Sequence, residues 1–277
     1  MKLSLSEIST VGASFRDDLT AYRAAGFDGI GIWEMKLGDD DAADVAALES
    51  SGLYAANCVP LVPSILPNSV IEGPTDVEER IVSICASMHR LARYEPESML
   101  CLTGPAGTLS ETEARRIVIE GLKRVAAAAD KAGIRLGLEP VHDSEREALT
   151  LVTSIPEALQ LLDEAGMPEV GVMVDLWHVW DTPTIEDDLR THAGRISGVH
   201  VSDWFPPSQA GPRPGRALPG EGVSHTGELV ALLAETGWRG SLDVEIFGDP
   251  DDPESFWSLP VGEAARRAYE AAVGVLP

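Results

Sequence analysis

Residues 131 to 142 read "KAGIRLGLEPVH", and this short run decides the fold. The stretch leading into it, "ETEARRIVIEGLKRVAAAADKAG", places apolar residues three and four apart, the spacing of a helix with one buried face. Gly133 marks the end of that helix, because glycine just past a helix takes the left-handed conformation that other residues avoid. Ile134, Leu136 and Leu138 then alternate as a buried strand should, and Glu139 stands where the next core residue belongs. Helix, glycine, apolar strand and a polar residue at the strand's mouth form one structural unit.

The unit recurs. "RAAGFDGIGIWE", "ESSGLYAANCVP", "EAGMPEVGVMVD", "HAGRISGVHVSD" and "ETGWRGSLDVEIF" repeat it, with glycines at Gly26, Gly52, Gly166, Gly194 and Gly237. "SMLCLTG", residues 98–104, fills the one long gap without its glycine, and the opening "KLSLSEIS" supplies a further strand. Eight strands are expected near residues 2–8, 27–33, 53–58, 98–103, 134–139, 170–175, 196–202 and 241–247. Eight alternating units predict an α/β protein with a closed parallel (β/α)8 TIM barrel rather than an open doubly wound sheet. No G-x-G-x-x-G follows an early strand, which removes the main support for dinucleotide binding. Barrels of this kind use ~250 residues as one domain, so residues 1–277 are expected to form a single one.

The chain carries 45 Asp and Glu against 21 Lys and Arg, a formal charge of −24. Such a surface repels phosphate polyanions, and no basic cluster offsets it, so nucleic acid is not an expected partner. Most of the excess, including Asp39 to Asp41 and the run 249–252, reads as solvated surface. Cys58, Cys85 and Cys101 lack any C-x-x-C spacing and read as small buried thiols of a reducing compartment. The opening residues lack a signal-peptide core and nowhere do about 18 apolar residues run together, so a cytoplasmic protein without a membrane partner is expected. The sequence leaves open whether the chain forms a homo-oligomer.

In a TIM barrel the reactive groups stand where strands end and loops begin, on the C-terminal face. The fifth strand ends at Glu139, the sixth at Asp175, the seventh holds His200 and the eighth holds Glu245. Three carboxylates buried together cost several kcal/mol each unless something neutralises them, and a divalent cation does so. Glu139, Asp175, His200 and Glu245 are therefore the candidate metal ligands. Three oxygens and one nitrogen favour Mn²⁺, with Mg²⁺, Co²⁺ and Zn²⁺ open. Trp33, Glu34, Trp177, Trp180 and Trp204 also lie at strand ends, where aromatic walls suit the C–H faces of a polyol. "WFPPSQAGPRPGRALPGEG", residues 204–222, lies between the seventh strand and its helix and is expected to be an ordered substrate-covering loop. It carries Arg216, suited to stabilising a developing oxyanion, and Arg213, read as a surface residue. His89, His192 and His225 are read as structural, and no lysine stands at a strand end.

The sequence resembles the xylose isomerase-like TIM barrels, which include sugar isomerases, sugar epimerases, ketoinositol isomerases and inosose dehydratases. The resemblance rests on "LGLEPVH", "MVDLWH" with its D-x-x-H, "GVHVSD", "GRALPGEG" and "LDVEIF". It implies that Glu139, Asp175, His200 and Glu245 bind one metal ion, that His178 and Arg216 contact the substrate, and that His142 stands beside the site, where it is expected to orient the substrate; Trp33, Glu34 and Trp204 are expected substrate contacts from their places at strand ends. The third strand ends in "NCVP", where many sugar epimerases carry histidine or a larger polar group, so substrate identity is not carried over.

What the resemblance implies is a divalent-metal-dependent isomerase or epimerase of a keto-sugar or related polyol. By the family's pattern Glu139 and Glu245 face the substrate from opposite sides as base and acid, with a metal-held cis-enediolate between them. The alternative is a dehydratase or lyase acting on a keto-inositol or 3-keto-glycoside, with His142 or His178 assisting the leaving group. Apurinic endonuclease is the remote alternative, since a three-zinc cluster needs more strand-end histidines than six in total provide. A non-catalytic sugar-binding barrel is expected to lose a ligand or the acid/base pair, and none is missing. From the charge, no measurable affinity for duplex or abasic DNA is expected at physiological salt. Fluorescence anisotropy tests this, and micromolar binding or strand incision would revive the endonuclease.

Overall fold

The computed structural model describes residues 1–206 and 215–277. β1 (Lys2–Ser6), β2 (Gly29–Trp33), β3 (Tyr54–Val59), β4 (Ser98–Cys101), β5 (Leu136–Leu138), β6 (Gly171–Asp175) and β7 (Ile196–Val201) run parallel around a barrel. A two-stranded antiparallel ribbon follows, β8 (Asp203–Trp204) with β9 (Arg216–Ala217), and β10 (Ser241–Val244) completes the barrel. Closure comes from β1 and β10, paired from Lys2 with Ser241 through Leu5 with Val244. Each expected barrel strand is present, with ends shifted by a few residues. Glu139 and Glu245 fall one residue beyond their strands, yet their N–H groups still bond across to the carbonyls of Cys101 (3.0 Å) and Val201 (3.1 Å).

Local chemistry sets the helix ends. Ser14, Asp40, Asp76, Ser110 and Ser154 each accept a hydrogen bond from the backbone N–H three residues on, satisfying a donor that a helix start leaves free. Gly26, Gly52, Gly133, Gly166 and Gly237 take positive φ as the repeat predicts. Gly194 does not. There the helix Ile185–His192 continues into a 3-10 turn, Ala193–Arg195, whose own backbone bond delivers the chain to β7 without a left-handed residue.

Outward-facing strand residues such as Leu5, Ile30, Leu138, Val172, Val199 and Val244 pack under the helices in one continuous core. Among the described residues no helix is long and apolar enough to cross a membrane. The barrel interior is divided. Val59, Leu100, Leu102, Val141 and Met173 form a separate apolar cluster on the side of β3 to β6. Ser4, Ser6, Asp243, Glu245 and His200, all buried, make the side of β7, β10 and β1 polar. Two inward glycines leave room for this. A Cβ at Gly31 would lie 2.1 Å from Asp243 Oδ2, and one at Gly198 would lie 2.4 Å from Asn57 Oδ1.

Gly31→Ala is therefore expected to destabilise the barrel by about 1–3 kcal/mol, because Asp243 is held and cannot yield. Gly12→Ala, where a Cβ meets nothing within 4 Å, should change stability by less than about 0.5 kcal/mol. Urea midpoints compare them, and equal effects would contradict the close packing of Asp243.

Candidate active site

β5, β6, β7 and β10 deliver polar side chains to one end of the barrel. Glu139, Asp175 and His200, all buried, each bring a ligand-type atom within 4.8 Å of the others. His200 Nδ1 lies 3.5 Å from Glu139 Oε1 and 3.6 Å from Glu245 Oε2. Among the described residues neither nitrogen of His200 has a hydrogen-bond partner. A buried polar atom left without a partner costs about 1–3 kcal/mol, so the orphaned atoms and the donor set fit a bound divalent cation. Glu245 stands beside this group. Its Oε2 accepts from Arg216 Nη1 at 2.9 Å, and its Oε1 accepts from Ser6 Oγ at 3.4 Å.

Arg216 reaches in from β9 and is buried. Its Nη1 also forms an ion pair with Asp175 Oδ2 at 2.6 Å. Trp177 and Phe247 hold the guanidinium, with ring centroids 5.0 and 4.6 Å from its carbon. Burial lifts the Glu139 carboxyl to about 7, with His200 opposing the rise. For His200 burial disfavours the charge, but Glu245, Glu139 and Asp243 outweigh it and raise the ring to about 10. His178 moves the other way, well below its ordinary range, through burial and then the charge of Arg216.

His178 Nδ1 accepts the backbone N–H of His142 at 3.2 Å, which assigns the hydrogen of the neutral ring to Nε2. That Nε2 lies 3.4 Å from Arg216 Nη2, so two donors share one space. His142 rests on Asp181 (Nε2, 3.1 Å) and Ser144 (Nδ1, 2.8 Å), with its ring 4.8 Å from that of Trp204. Trp204 stacks on Trp177 at 4.6 Å and donates to its carbonyl at 2.7 Å. Trp33 donates to Ser6 Oγ at 2.9 Å and meets Phe247 edge-on at 5.9 Å. Glu34, expected to contact the substrate, is engaged within the protein. Its Oε2 accepts the Leu61 N–H at 2.8 Å and its Oε1 lies 3.5 Å from Arg90, so its carboxylate ties a loop to the helix Val77–Leu91.

Three residues escaped the reading of strand ends. Asp243, two before Glu245 and so on the same face, accepts from Ser4 Oγ at 2.7 Å. Its other oxygen has no hydrogen-bond partner among the described residues and lies 3.7 Å from His200 Nε2, placing a carboxylate behind the imidazole. The alternation in "LDVEIF" carried that signal. Lys36 lies three residues past β2, but its ammonium donates to the carbonyls of Glu7 (3.3 Å) and Thr10 (2.9 Å) and to Asp18, tying turns together. Asp203 accepts from the N–H groups of Trp204 (2.9 Å), Gly220 (3.1 Å) and Ser224 (2.8 Å), and from the Ser224 hydroxyl. It thus holds both ends of the 204–222 loop. Residues 207–214 of that loop, Arg213 included, lie outside the described residues, and so does the substrate-covering role read for them.

Residues 19–271 match the family described as xylose isomerase-like TIM barrel. A provisionally named hydroxypyruvate isomerase of Streptomyces coelicolor is 30% identical over 164 residues, 56% of this chain and 54% of that protein. The 3-dehydroshikimate dehydratase of Pseudomonas putida is 26% identical over 268 residues, 90% of this chain and 38% of that protein. The chain thus spans about half the length of the first and under two fifths of the second. A crystal structure of IOLI protein with a bound zinc atom superposes with a TM-score of 0.80 at 20% identity, covering 100% of this chain and 98% of that one.

Asp243→Asn keeps the shape behind His200 but removes the charge, and is expected to weaken Mn²⁺ binding about 10–100-fold by calorimetry on metal-stripped protein. Unchanged affinity would separate Asp243 from the site. With His200 raised to about 10 and Glu139 to about 7, protons compete with the ion for these atoms. Apparent affinity should therefore climb between pH 7 and 10, by up to about tenfold per unit, with protons released on binding.

Proposed function

Because this chain belongs to the xylose isomerase-like TIM barrel family, we propose that it is a divalent-metal-dependent isomerase or epimerase of a keto-sugar or related polyol. The observation that carries the reading is the pair of carboxylates, Glu139 and Glu245, each within 3.6 Å of the same nitrogen of His200. Glu139, Asp175 and His200, with Glu245 beside them, would hold the ion. When bound, the ion supplies Lewis acidity, polarising the substrate carbonyl and acidifying the neighbouring C–H.

The chain's own groups then handle the proton. Glu245 removes it, its carboxylate steadied by Ser6 and Arg216. Glu139, the opposed carboxylate, serves as the acid on the other side of the substrate, and burial, which raises its proton affinity, suits it to carry that proton. His178 Nε2–H and Arg216 Nη2, two donors facing one space, receive the negative charge of the enediolate oxygens. Returning the proton to the opposite face of the same carbon epimerises; returning it to the neighbouring carbon isomerises. Trp177 and Trp204 offer their stacked rings as a wall for the substrate's C–H face.

A second reading draws on the 90% of this chain that matches a 3-dehydroshikimate dehydratase. There the same proton abstraction would be followed by loss of a β-leaving group, with His142 as the acid, its Nε2 hydrogen-bonded to Asp181. An endonuclease finds no support. Among the described residues one group of three metal-ligating side chains is present, and the net charge is −24.

Running the reaction in D₂O distinguishes these outcomes. The enediolate route requires deuterium at a carbon next to the carbonyl, because a carboxylate-bound proton equilibrates with water before it returns. Full retention of protium in an active reaction would overturn that route, and loss of water from the product would make the enzyme a dehydratase. Glu245→Gln should abolish turnover, by more than about 10²-fold, while circular dichroism and Tm report a folded barrel.

A further inference from the structure

A second buried ionic cluster lies outside the ligand set, where the turns after β1 and β2 meet the helix Phe15–Ala25. Glu7 follows β1, Asp18 and Tyr22 sit on the helix, and Lys36 ends the turn after β2. Glu7, Asp18 and Tyr22 are buried, and the Lys36 side chain is 6% exposed. The donors of this corner are all committed. The Lys36 ammonium has three hydrogens, which go to the carbonyls of Glu7 at 3.3 Å and Thr10 at 2.9 Å and to Asp18 Oδ2. The Thr10 hydroxyl gives its one hydrogen to Asp18 Oδ1 at 2.7 Å, so in its 2.5 Å contact with Tyr22 the phenol is the donor. The Trp33 N–H goes to Glu7 Oε2 at 3.0 Å. Glu7 Oε1 is left without a hydrogen-bond partner among the described residues, 3.9 Å from the ammonium.

Two carboxylates against one ammonium leave a surplus negative charge in this buried corner. The Glu7 and Asp18 side chains also come within hydrogen-bonding reach of each other, which two carboxylates tolerate only with a proton between them. A hydrogen on Glu7 Oε1 removes both difficulties. The orphaned oxygen becomes a donor to Asp18, Oε2 remains the carbonyl oxygen that accepts from Trp33, and the cluster becomes neutral. Burial raises the Glu7 carboxyl well above its ordinary value, with Lys36 opposing the rise and Asp18 adding to it. The neighbouring elements bring no competing charge. Burial pushes the Tyr22 phenol and the Cys58 thiol of β3 well up, so both stay neutral. Glu34 is turned to Leu61 and Arg90, and Asp243 of β10 to Ser4 and His200. The helix Val261–Gly274 packs on the same turn with its Glu263, Arg266 and Glu270 paired to one another, Tyr269 on Phe27, and Arg267 at a surface cavity.

We propose that Glu7 and Asp18 hold one proton between them, borne on Glu7 Oε1, and that this neutral acid is a pH-sensitive brace beneath Trp33 at the edge of the site. Trp33 meets Phe247 edge-on, and Phe247 packs on the Arg216 guanidinium, so the brace supports the outer side of the arginine's seat. Loss of the proton at raised pH restores the surplus charge and weakens the corner. The brace is independent of which reaction the site performs.

Two variants of the full chain test this. Glu7→Gln copies the neutral acid, its carbonyl accepting from Trp33 and its amide donating to Asp18, whereas Asp18→Asn copies the opposite assignment. Folding constants are measured by urea unfolding from about pH 5.5 to about pH 8. An unfolded glutamate releases its proton above its ordinary value of 4.5, while the folded one keeps it, so wild-type stability falls as pH rises until folded Glu7 ionises. Glu7→Gln escapes that loss. It is expected to fold at least as stably as wild type at the acid end and to gain on it by up to about tenfold per pH unit. Asp18→Asn, which strips Lys36 of its counter-charge, is expected to lose at least about tenfold. At neutral pH the infrared difference between wild type and Glu7→Gln should carry the carbonyl band of one un-ionised carboxyl. A parallel pH dependence of the two proteins, a difference spectrum with carboxylate bands alone, or a Glu7→Gln chain that does not fold overturns the proposal. An Asp18→Asn chain that gains with pH in place of Glu7→Gln puts the proton on Asp18 and overturns it as well.

Discussion

Carboxylates crowded into a buried pocket repel one another, and that repulsion is the constraint around which this end of the barrel is built. Glu139, Asp175, Asp243 and Glu245 are all buried. In a medium of low dielectric constant such a set stays ionised only with positive charge in contact. Arg216 supplies part of it, and its position explains much of what surrounds it: Trp177 and Phe247 hold its plane, β9 carries it, and Asp203 fixes the chain on either side. His200 supplies another part, with one nitrogen toward Glu139 and Glu245 and the other toward Asp243. Gly31 clears the space that Asp243 needs.

Such a centre is costly, and the scaffold carries the cost away from it. The continuous apolar core lies outside the strands, under the helices, where Leu5, Ile30, Val172, Val199 and Val244 are fully buried. Half of the barrel interior adds a smaller apolar cluster. The polar half contributes little hydrophobic stabilisation and is where local rules of patterning are broken, as expected at a functional site. Stability and chemistry thus occupy different layers of one stretch: along β10 and the residue after it, Leu242 and Val244 face the helices while Asp243 and Glu245 face the interior.

Much of this was legible in the sequence because it follows from periodicity. Glycines after helices and alternation within strands gave the barrel, and a polar residue closing an apolar strand pointed to Glu139, Asp175, His200 and Glu245, which the structure brings into one neighbourhood. Contacts made across the fold were not legible. Nothing local in "GIWEMK" distinguishes Glu34, which braces Leu61 and Arg90, from Lys36, which ties Glu7 to Asp18. Asp243 was visible in principle, since it shares a face with Glu245, but a reading confined to strand ends passes over a residue one turn of the pleat deeper. Gly194 shows the converse, a correct repeat whose usual backbone device the chain does not use.

Asp203 ties Trp204, Gly220 and Ser224 to one carboxylate, so the chain leaves the barrel and returns to it at a single knot. The returning strand is pinned as well: the Arg216 N–H bonds the Phe247 carbonyl, and its side chain reaches Asp175 and Glu245. Any exchange of sequence within this span is therefore bound by one condition, that Arg216 come back to the same place. The barrel floor borrows a charge that the connection and not a barrel strand supplies, so the loop and the floor must change together.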